Sequence, residues 1–369
     1  MNVIVAMSGG VDSSAAVMYL QDRGGYDLIG VTLNLYDSER IVEGCRSCCS
    51  ADDAIAVAAV CARLGIRHYV YNFKNVFERE VIAKFRGGYV RGETPNPCVD
   101  CNNRIKFKYL FDRAESLGVE CLATGHYARI EDDNGWKLKR AVTEDGSENP
   151  KDQSYVLYGI PKRLLPRILF PLGGKSKATV RADALSRGFE NHNKPDSQDI
   201  CFVPDGDYAE FIRQSPEFRE QWGGFYDTDG NYFMPHTGFI NYTVGQRRGL
   251  GSFGFPAYVV RKDAATGNVY VGADRELYGS ACTVRDVNWL IGEGYNFNDG
   301  GSLGSVLDGE LHCTAKTRYK ARDTDCAVTV LSGSTLRVEF AAPVRALTPG
   351  QHIVFYDGDT VLGGGVIQV

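Results

Sequence analysis

A glycine-rich turn follows the first apolar segment of the chain. The run Val3–Met7 predicts a strand, and the sequence SGGVDS (Ser8–Ser13) separates it from a predicted helix over Ser14–Asp22. Glycines let backbone N–H groups approach a ligand, and the N-terminus of the following helix carries partial positive charge. No lysine follows the second glycine, so the turn is not the phosphate loop of kinases and GTPases. The sequence therefore predicts a phosphate-binding turn, with an ordinary strand-to-helix turn as the alternative.

Cysteines in two other loops are candidate nucleophiles. Cys98 and Cys101 close a proline-rich loop that begins at Thr94, just before a helix that the pattern predicts from near Ile105. A thiol beside a helix N-terminus with basic neighbours tends toward a lowered pKa and thiolate character. Cys201 is a lone thiol at the end of a polar loop. These positions favour chemistry at sulfur.

A structural zinc site is the alternative use of these thiols. The two thiols of the first loop have the CxxC spacing, and Cys45 with Cys48 or Cys49 provides a second group. Four such ligands would enclose a zinc ion. Cys201 shifts the balance toward catalysis, because a closed four-cysteine site does not need it.

A phosphate-binding turn combined with separated cysteines predicts an enzyme that activates a carbonyl oxygen with ATP and displaces it with sulfur. SGGVDS resembles the pyrophosphate loop of enzymes that adenylate an oxygen and release pyrophosphate. The C2 oxygen of a uracil ring is a poor leaving group, but as an adenylate ester it departs as AMP. One cysteine can carry sulfur as a persulfide, and a second thiolate can release it by attack on the inner sulfur, leaving a disulfide.

Composition and charge limit the classes of protein that remain. With 369 residues, 43% of them hydrophobic and 24% charged, the chain has the composition of a globular protein of two or three domains. It has no apolar stretch long enough to cross a membrane and no signal-peptide pattern, so we expect a cytoplasmic protein without a membrane partner. The net charge of −5 argues against non-specific binding to nucleic acid. Local clusters of Lys and Arg nevertheless favour an RNA-binding surface, at residues 104–108, 137–140, 247–248 and 316–322.

The other cysteines are expected to be reduced packing residues, because they stand singly in apolar or alternating segments. They are Cys61, Cys121, Cys282, Cys313 and Cys326.

The order of patterns predicts three domains. Strands and helices alternate up to about residue 130, which predicts an α/β, Rossmann-like domain with a parallel sheet and ligands at the carboxyl ends of its strands. The predicted domains are an ATP-binding catalytic domain over 1–203, a small, mostly β connecting domain over 204–277, and a C-terminal β-barrel over 278–369. Beyond those above, the predicted elements of the first domain are strands Leu28–Leu35, His68–Asn72 and Cys121–Thr124 and helices Ala51–Leu64, Val76–Arg86, Ile105–Leu117 and Ser176–Arg187. The predicted barrel strands are Ala281–Leu290, Gly309–Tyr319, Cys326–Leu331, Thr335–Phe340, Gln351–Tyr356 and Thr360–Val369.

Long ordered segments resemble the tRNA-specific 2-thiouridylase family (MnmA/TrmU) nearly from end to end. The family uses ATP to thiolate C2 of the wobble uridine, uridine 34, in glutamate, glutamine and lysine tRNAs. The matching segments are AMSGGVDS (6–13), TPNPCVDCNNRIKF (94–107), ATGHYAR (123–129), KDQSY (151–155), SQDICFV (197–203), GQRRGL (245–250), AKTRY (315–319) and PGQHIVFY (349–356).

The resemblance implies roles for matching positions. Cys201 would carry the persulfide and Cys101 would be its nucleophilic partner, while Asp12 would help to position Mg²⁺ or pyrophosphate. ATP would be held by Ala6, Met7, Ser8, Gly9, Gly10, Val11, Asp12, Ser13, Leu33 and Gly125. The flipped target base would lie against Asn96, Pro97 and Cys98. The anticodon arm of the tRNA would be contacted by His126, Lys151, Asp152, Gln153, Arg318, Tyr319 and Gln351.

Position 98 leaves two mechanisms open. The family has aspartate or cysteine there, and the chain has Cys98, so an acid–base role for a carboxylate does not carry over. Cys98, Cys101 and Cys201 could together hold three corners of a [4Fe–4S] cluster, as in related sulfur-inserting enzymes. We favour the persulfide relay and assign no resident metal. Cys45 has no role implied by the resemblance.

Two other classes of protein share parts of this pattern. An ATP-dependent amidating synthetase shares the pyrophosphate loop but needs neither Cys101 nor Cys201. A non-enzymatic RNA-binding protein would bind tRNA without releasing AMP and pyrophosphate. The resemblance further implies an upstream sulfur donor, a cysteine desulfurase or a persulfide carrier protein, and we expect the enzyme to be a monomer.

Overall fold

The computed structural model describes residues 1–36, 51–196, 199–203, 206–292, 310–332 and 335–368. The cysteines of the CRSCC segment (Cys45, Cys48 and Cys49) and the first two residues of SQDICFV lie outside the described residues. The second pair of thiols that a zinc site would need is therefore not described, and the zinc alternative stays a prediction. None of the described helices is long and apolar enough to span a membrane.

The chain forms two compact units whose boundaries do not follow chain order. Unit 1 comprises Met1–Ile82, Pro97–Gly206 and Asp359–Val361. Unit 2 comprises Ala83–Asn96, Asp207–Gly358 and Leu362–Val369. The division into three domains at 203/204 and 277/278 stays a prediction.

The core of unit 1 is a five-stranded parallel sheet. The strands of this unit are β1 (Asn2–Ala6), β2 (Asp27–Asn34), β3 (Arg67–Asn72), β4 (Cys121–Thr124), β5 (Ala128–Asp132), β6 (Trp136–Arg140) and β7 (Ile168–Leu169). The order in the sheet is β3-β2-β1-β4-β7. Central strand β1 is apolar on both faces, with Val3 and Val5 buried on one face and Ile4 on the other, as a parallel strand covered by helices on both sides requires. The predicted parallel α/β fold is confirmed.

Helices connect these strands. They are α1 (Val11–Arg23), α2 (Ala51–Leu64), α3 (Lys74–Phe77), α4 (Ala83–Val90), α5 (Pro97–Asp100), α6 (Phe111–Glu115) and α7 (Lys177–Ser186). Of these, α4 lies in this stretch of the chain but belongs to unit 2. A π-helical segment, Glu78–Ile82, joins α3 to α4, and another, Cys101–Leu110, joins α5 to α6.

The helix predicted from Ile105 begins eight residues earlier, at Pro97. Proline favours the first helical position, because its missing N–H has no partner there and its φ is already helical. The prediction treated the proline as part of the loop and was wrong on this point. As a result, Cys98 and Cys101 lie inside the first turns of a helix rather than ahead of it.

The hairpin formed by β5 and β6 was not predicted. Its turn contains Asn134 and Gly135, both with positive φ, and Asn-Gly is the strongest short-range signal of a hairpin. The segment Asp359–Val361 contacts this hairpin and belongs to unit 1. Asp359 accepts hydrogen bonds from the Arg129 side chain and from the backbone N–H of Arg140, and Thr360 pairs with Lys139 across the strands.

Unit 2 contains helix α8 (Tyr208–Arg213), a four-stranded sheet and a closed barrel. The strands of the sheet are β8 (Gly224–Tyr226), β9 (Tyr232–Pro235), β10 (Tyr258–Asp263) and β11 (Asn268–Gly272), in the order β10-β11-β8-β9. The barrel strands are β12 (Tyr278–Trp289), β13 (Glu310–Lys316), β14 (Thr324–Ser332), β15 (Thr335–Arg345), β16 (His352–Asp357) and β17 (Thr360–Gln368).

The barrel confirms the six strands that the sequence predicts. Its order is β12-β15-β14-β13-β16-β17, and pairing of β12 with β17 closes it, which removes exposed sheet edges. Alternating apolar side chains fill the interior, among them Val284, Val328, Val338 and Phe355.

Replacement of Phe355 should destabilise the barrel. The ring is fully buried and stacks on Trp289 with a centroid distance of 5.7 Å. Phe355→Ala removes this packing and leaves a cavity, so it should lower the free energy of unfolding by about 3–5 kcal/mol. Leu331→Ala, at an exposed position of β14, should change it by less than about 0.5 kcal/mol. Calorimetric unfolding of the two variants checks this, and equal losses of stability would contradict it.

Candidate active site

The SGGVDS turn joins β1 to α1 in a conformation that only glycine adopts without strain. Gly9 has a φ of +73°, and a Cβ there would lie 2.8 Å from Oδ1 of Asp53. Gly10 is extended and starts α1 without a side-chain cap among the described residues. The N–H groups of the first turn of α1 are therefore available to a phosphate, and the helix dipole adds to the attraction.

Hydrogen bonds within the turn hold it ready for a ligand. The backbone N–H of Ser8 donates to Oγ of Ser13 at 3.2 Å, and that hydroxyl donates to the carbonyl of Gly10 at 3.0 Å. From outside the turn, the side-chain amide of Asn191 donates to the carbonyl of Gly9 at 3.2 Å and to Oγ of Ser14 at 3.0 Å.

Asp12 is the acidic group of the turn. The ammonium of Lys177, the first residue of α7, donates to both carboxylate oxygens of Asp12 at 2.7 and 2.9 Å. The hydroxyl of Tyr127 donates to Oδ1 at 2.8 Å. Burial, with the charge of Asp12 in second place, raises the pKa of Tyr127, so its proton stays on the phenol as a donor.

Lys177 also contacts Asp196, in the loop that leads to Cys201. Its Nζ lies 2.7 Å from Oδ1 of Asp196, and Lys151 donates to Oδ2 at 2.7 Å. Burial alone would raise the pKa of Asp196, but the two lysines outweigh it and lower that pKa to about 2. The carboxylate is therefore charged at neutral pH. The network connects the phosphate turn, helix α7 and the loop that carries Cys201.

Gly125 closes the site from the neighbouring strand. Because β1 and β4 pair in parallel, with Ala6 opposite Thr124, their carboxyl ends lie side by side. A Cβ on Gly125 would approach the backbone C and O of Asp12 to 2.6 and 2.7 Å. Glycine is required here because the two backbones nearly touch. On the opposite side of β1 from β4, strand β2 carries the buried Leu33.

The two predicted reactive cysteines occupy segments that pack on one helical run. Cys101 starts the π-helical segment after α5 and is half-buried, and Cys201 is half-buried as well. Phe202, next to Cys201, packs edge-on against Phe77 of α3 with a centroid distance of 5.6 Å. The side chain of Arg79, in the following π-helical turn, donates at 2.8 Å to Tyr109, in the segment that Cys101 starts.

Cys98 is exposed in the first turn of α5, beside the buried Pro97. Among the described residues, no three His, Cys, Asp or Glu side chains are grouped so that they could hold a metal ion. Cys98, Cys101 and Cys201, all of which are described, are not among such groups, and the three-cysteine cluster considered above stays an alternative prediction.

The residues predicted to contact tRNA differ in what they do here. His126 packs against the rings of Phe107 and Phe170, and its Nδ1 lies 2.7 Å from Oγ1 of Thr124. Burial, followed by the nearby charge of Lys106, lowers the pKa of His126 well below its ordinary value, so the ring is neutral at pH 7.

Asp152 and Gln153 make bonds within the chain. Oδ1 of Asp152 accepts the backbone N–H of Ala141 at 2.8 Å, and Oε1 of Gln153 accepts that of Tyr127 at 3.0 Å. Both side chains therefore position the segments around the phosphate turn. Their contact with tRNA stays a prediction.

The remaining predicted contacts lie in unit 2. Arg318 and Tyr319 are exposed in the loop that follows β13. Gln351 donates to the carbonyl of Thr94 at 2.6 Å, so it holds the start of the proline-rich loop that continues to Asn96.

The sequence did not single out Lys177, Asn191, Lys194 or Tyr127. Lys194 forms an ion pair with the buried Asp53, which faces Gly9. Lysine and asparagine are common on any protein surface, and only the fold brings these residues to the turn. The two lysines and Asn191 lie outside the segments quoted above, and nothing distinguishes Tyr127 from its neighbours within ATGHYAR.

Three domain-family models match successive parts of the chain. The tRNA methyl transferase HUP domain matches residues 1–205, the tRNA methyl transferase PRC-barrel domain residues 210–273, and the Aminomethyltransferase beta-barrel domain residues 280–367.

Curated relatives match over the full length. The tRNA-specific 2-thiouridylase MnmA of Acetivibrio thermocellus is 43% identical over an alignment of 375 positions, which covers 99% of each chain. The chain belongs to the tRNA-specific 2-thiouridylase family. A second family member, MnmA of Heliobacterium modesticaldum, is 44% identical over 99% of this chain and 92% of its own.

Among solved structures, NMN synthetase from Francisella tularensis has a TM-score of 0.30 at 17% identity, over 53% of this chain and 66% of that one. A likeness this weak carries no argument. Membership of the 2-thiouridylase family rests on the full-length sequence matches, and the family is an ATP-using, pyrophosphate-loop family of enzymes.

Gly125→Ala should weaken ATP binding at least tenfold in this thiouridylase, because the added methyl group would push the Asp12 backbone out of the phosphate turn. Gly174→Ala is the matched control, since nothing lies within 4 Å of a Cβ at that position. Titration calorimetry with ATP measures the effect, and a melting curve shows that each variant is folded. Equal ATP affinity in both variants would show that the close contact has no role in binding.

Proposed function

We propose that this enzyme uses ATP to replace the C2 oxygen of the wobble uridine, uridine 34, of glutamate, glutamine and lysine tRNAs with sulfur. The observation that carries the proposal is the preformed phosphate turn around Asp12, connected through Lys177 and Asp196 to the loop of Cys201. An amidating synthetase would have no use for that connection, and the full-length relatives are thiouridylases.

Adenylation is the first step. The C2 oxygen of the uridine attacks the α-phosphorus of ATP, and pyrophosphate leaves toward the SGGVDS turn. The N–H groups at the start of α1 and the ammonium of Lys177 stabilise the negative charge that develops there. The carboxylate of Asp12 suits Mg²⁺, which commonly takes one or two carboxylates together with substrate phosphates. Bound there, Mg²⁺ would neutralise phosphate charge.

Sulfur transfer follows at the cysteines. A donor protein, either a cysteine desulfurase or a persulfide carrier, loads Cys201 as a persulfide. The thiolate of Cys101 attacks the inner sulfur, the S–S bond of the persulfide breaks, and hydrosulfide leaves. Hydrosulfide adds to C2 of the uridine, and AMP departs with the original oxygen. The disulfide between Cys101 and Cys201 is then reduced by an external thiol.

Binding of tRNA in this proposal uses the proline-rich loop and the loop that follows β13. The base leaves its stack and enters beside Asn96, Pro97 and Cys98. The exposed Arg318 and Tyr319 grip the anticodon arm, where a guanidinium contacts phosphate and a ring can stack on a base. A cytoplasmic location, a monomeric state and the identity of the donor stay predictions.

Cys101→Ser and Cys201→Ser should each reduce thiolation at least a thousandfold while tRNA affinity stays within a few-fold, because each removes a sulfur of the relay and no tRNA contact. The measurements are 2-thiouridine content by mass spectrometry and tRNA binding by filter retention. Cys121→Ser, in strand β4, is the control and should keep thiolation within twofold when folded. Near-normal thiolation in either relay variant would remove that cysteine from the mechanism.

Metal content and persulfide loading separate the relay from an iron–sulfur mechanism. Protein purified without oxygen should thiolate tRNA when it holds no iron and receives a persulfide donor. Cys98→Ser should still accept persulfide sulfur on Cys201, since the relay does not use Cys98. Elemental analysis and a labelled-sulfur assay on the same samples test both points. Activity in proportion to about four irons per chain would replace the relay with a cluster.

A further inference from the structure

Two cysteines of the barrel face each other across neighbouring strands. Cys313 of β13 and Cys326 of β14 are directly opposed in the antiparallel register, and their sulfur atoms are 3.7 Å apart. Both are thiols in this structure. Directly opposed residues of antiparallel strands have Cα atoms about 4.5–5.5 Å apart, inside the range over which disulfides form. Both pack in the barrel core as the sequence predicts, and the strand register adds that they face each other.

A pocket of 470 Å³ opens beside the pair. Cys313 and Cys326 both line it, together with Phe340 and Tyr356. Cys313 is half-buried and Cys326 is buried, so a small molecule in the pocket reaches the sulfur of Cys313 first. This difference in access sets an order for reaction at the two sulfurs.

The charged side chains that line this pocket are mostly acidic. Asp325, Glu339 and Asp357 contribute carboxylates, and His312 is the one basic side chain of the lining. Arg337 donates to Glu339 at 2.9 Å and offsets one of the three charges. Acidic side chains thus outnumber basic ones in the lining, which favours cations over anions.

The third thiol of the barrel differs from this pair. Burial, with a smaller contribution from Cys326, raises the pKa of Cys282 to about 12. Thiolate is the reactive form of cysteine, so Cys282 is inert at neutral pH. It provides an internal standard for reactivity.

We propose that Cys313 and Cys326 form a reactive dithiol that closes to a cross-strand disulfide by exchange with small cationic disulfides. The thiolate of Cys313 attacks one sulfur of the small disulfide, whose S–S bond breaks and releases one thiolate. The thiolate of Cys326 then attacks the sulfur of Cys313 and displaces the second. Two electrons pass from the protein thiols to the small disulfide, and the two protons end on the released thiols.

The position of the pair gives the disulfide a structural effect. Strands β13 and β14 are joined by the loop over 317–323, which carries Arg318 and Tyr319. A bond between Cys313 and Cys326 fixes the register of this hairpin below that loop. The inference uses residues that take no part in adenylation or sulfur transfer, so it stands or falls separately from the proposed function.

The test uses the full-length reduced protein and cystamine, a small cationic disulfide. After reaction, remaining thiols are alkylated and the protein is cut with trypsin. Four basic residues between the two cysteines allow trypsin to separate them, namely Lys316, Arg318, Lys320 and Arg322. We expect a disulfide-linked peptide pair that contains Cys313 and Cys326, and an alkylated peptide that contains Cys282.

Two variants and a second oxidant sharpen the test. Cys326→Ala should stop at a mixed disulfide on Cys313, and Cys313→Ala should slow the modification of Cys326 at least tenfold. Oxidised glutathione, which is anionic, should react at least tenfold more slowly than cystamine at low salt, and the difference should shrink as salt rises. The wild-type peptide map shows whether the disulfide between Cys313 and Cys326 forms even where a variant does not fold.

Mixed disulfides that accumulate on wild-type Cys313 without a linked peptide would overturn the proposal. Modification of Cys282 as fast as that of Cys313 would also overturn it. Equal rates with cystamine and oxidised glutathione would overturn the preference for cations.

Discussion

A single ammonium group between two carboxylates organises the catalytic unit. Lys177 lies 2.7 Å from Asp12 and 2.7 Å from Asp196, and its side chain is only 13% exposed. In such a shielded place an ion pair is stronger than in water, and the loss of one partner leaves a charge without compensation. The phosphate turn, the start of α7 and the loop before Cys201 must therefore keep their mutual positions. The proposed nucleotide site and the proposed sulfur site are therefore parts of one electrostatic arrangement.

Ring packing and one further hydrogen bond also hold the two cysteine-bearing segments in place. Phe77 of α3 holds Phe202, and Arg79 in the π-helical turn after α3 holds Tyr109. One helical run thus positions both cysteine-bearing segments, although they are about a hundred residues apart in the chain. Reactive groups on rigid elements keep their geometry better than groups on free loops. The π-helical backbone at Cys101 is consistent with this, since such turns often occur at functional sites.

The sequence predicts those parts of this structure that rest on local pattern. Strand β1, the SGGVDS turn and the six barrel strands follow from apolar periodicity and turn residues, and the structure confirms them. Contacts between residues far apart in the chain could not be predicted from local pattern. Nothing around Lys177 in the sequence indicates that it meets Asp12, which is 165 positions away. The opposition of Cys313 and Cys326 depends on strand register, which one residue of slippage would change. The start of α5 was missed because proline was interpreted as a loop residue rather than as the first helical residue.

The participation of Asp359–Val361 in unit 1 bears on how the protein is made. A ribosome synthesises the chain from its N-terminus, and domains usually fold as they emerge. Here Arg129 and the backbone of Arg140 acquire their partner, Asp359, which is synthesised 230 residues after Arg129. During most of the synthesis of unit 1, the β5–β6 hairpin therefore lacks its hydrogen bonds to Asp359. Completion of the last strand of the barrel also completes the first unit of the chain, so a truncated translation product lacks a part of both.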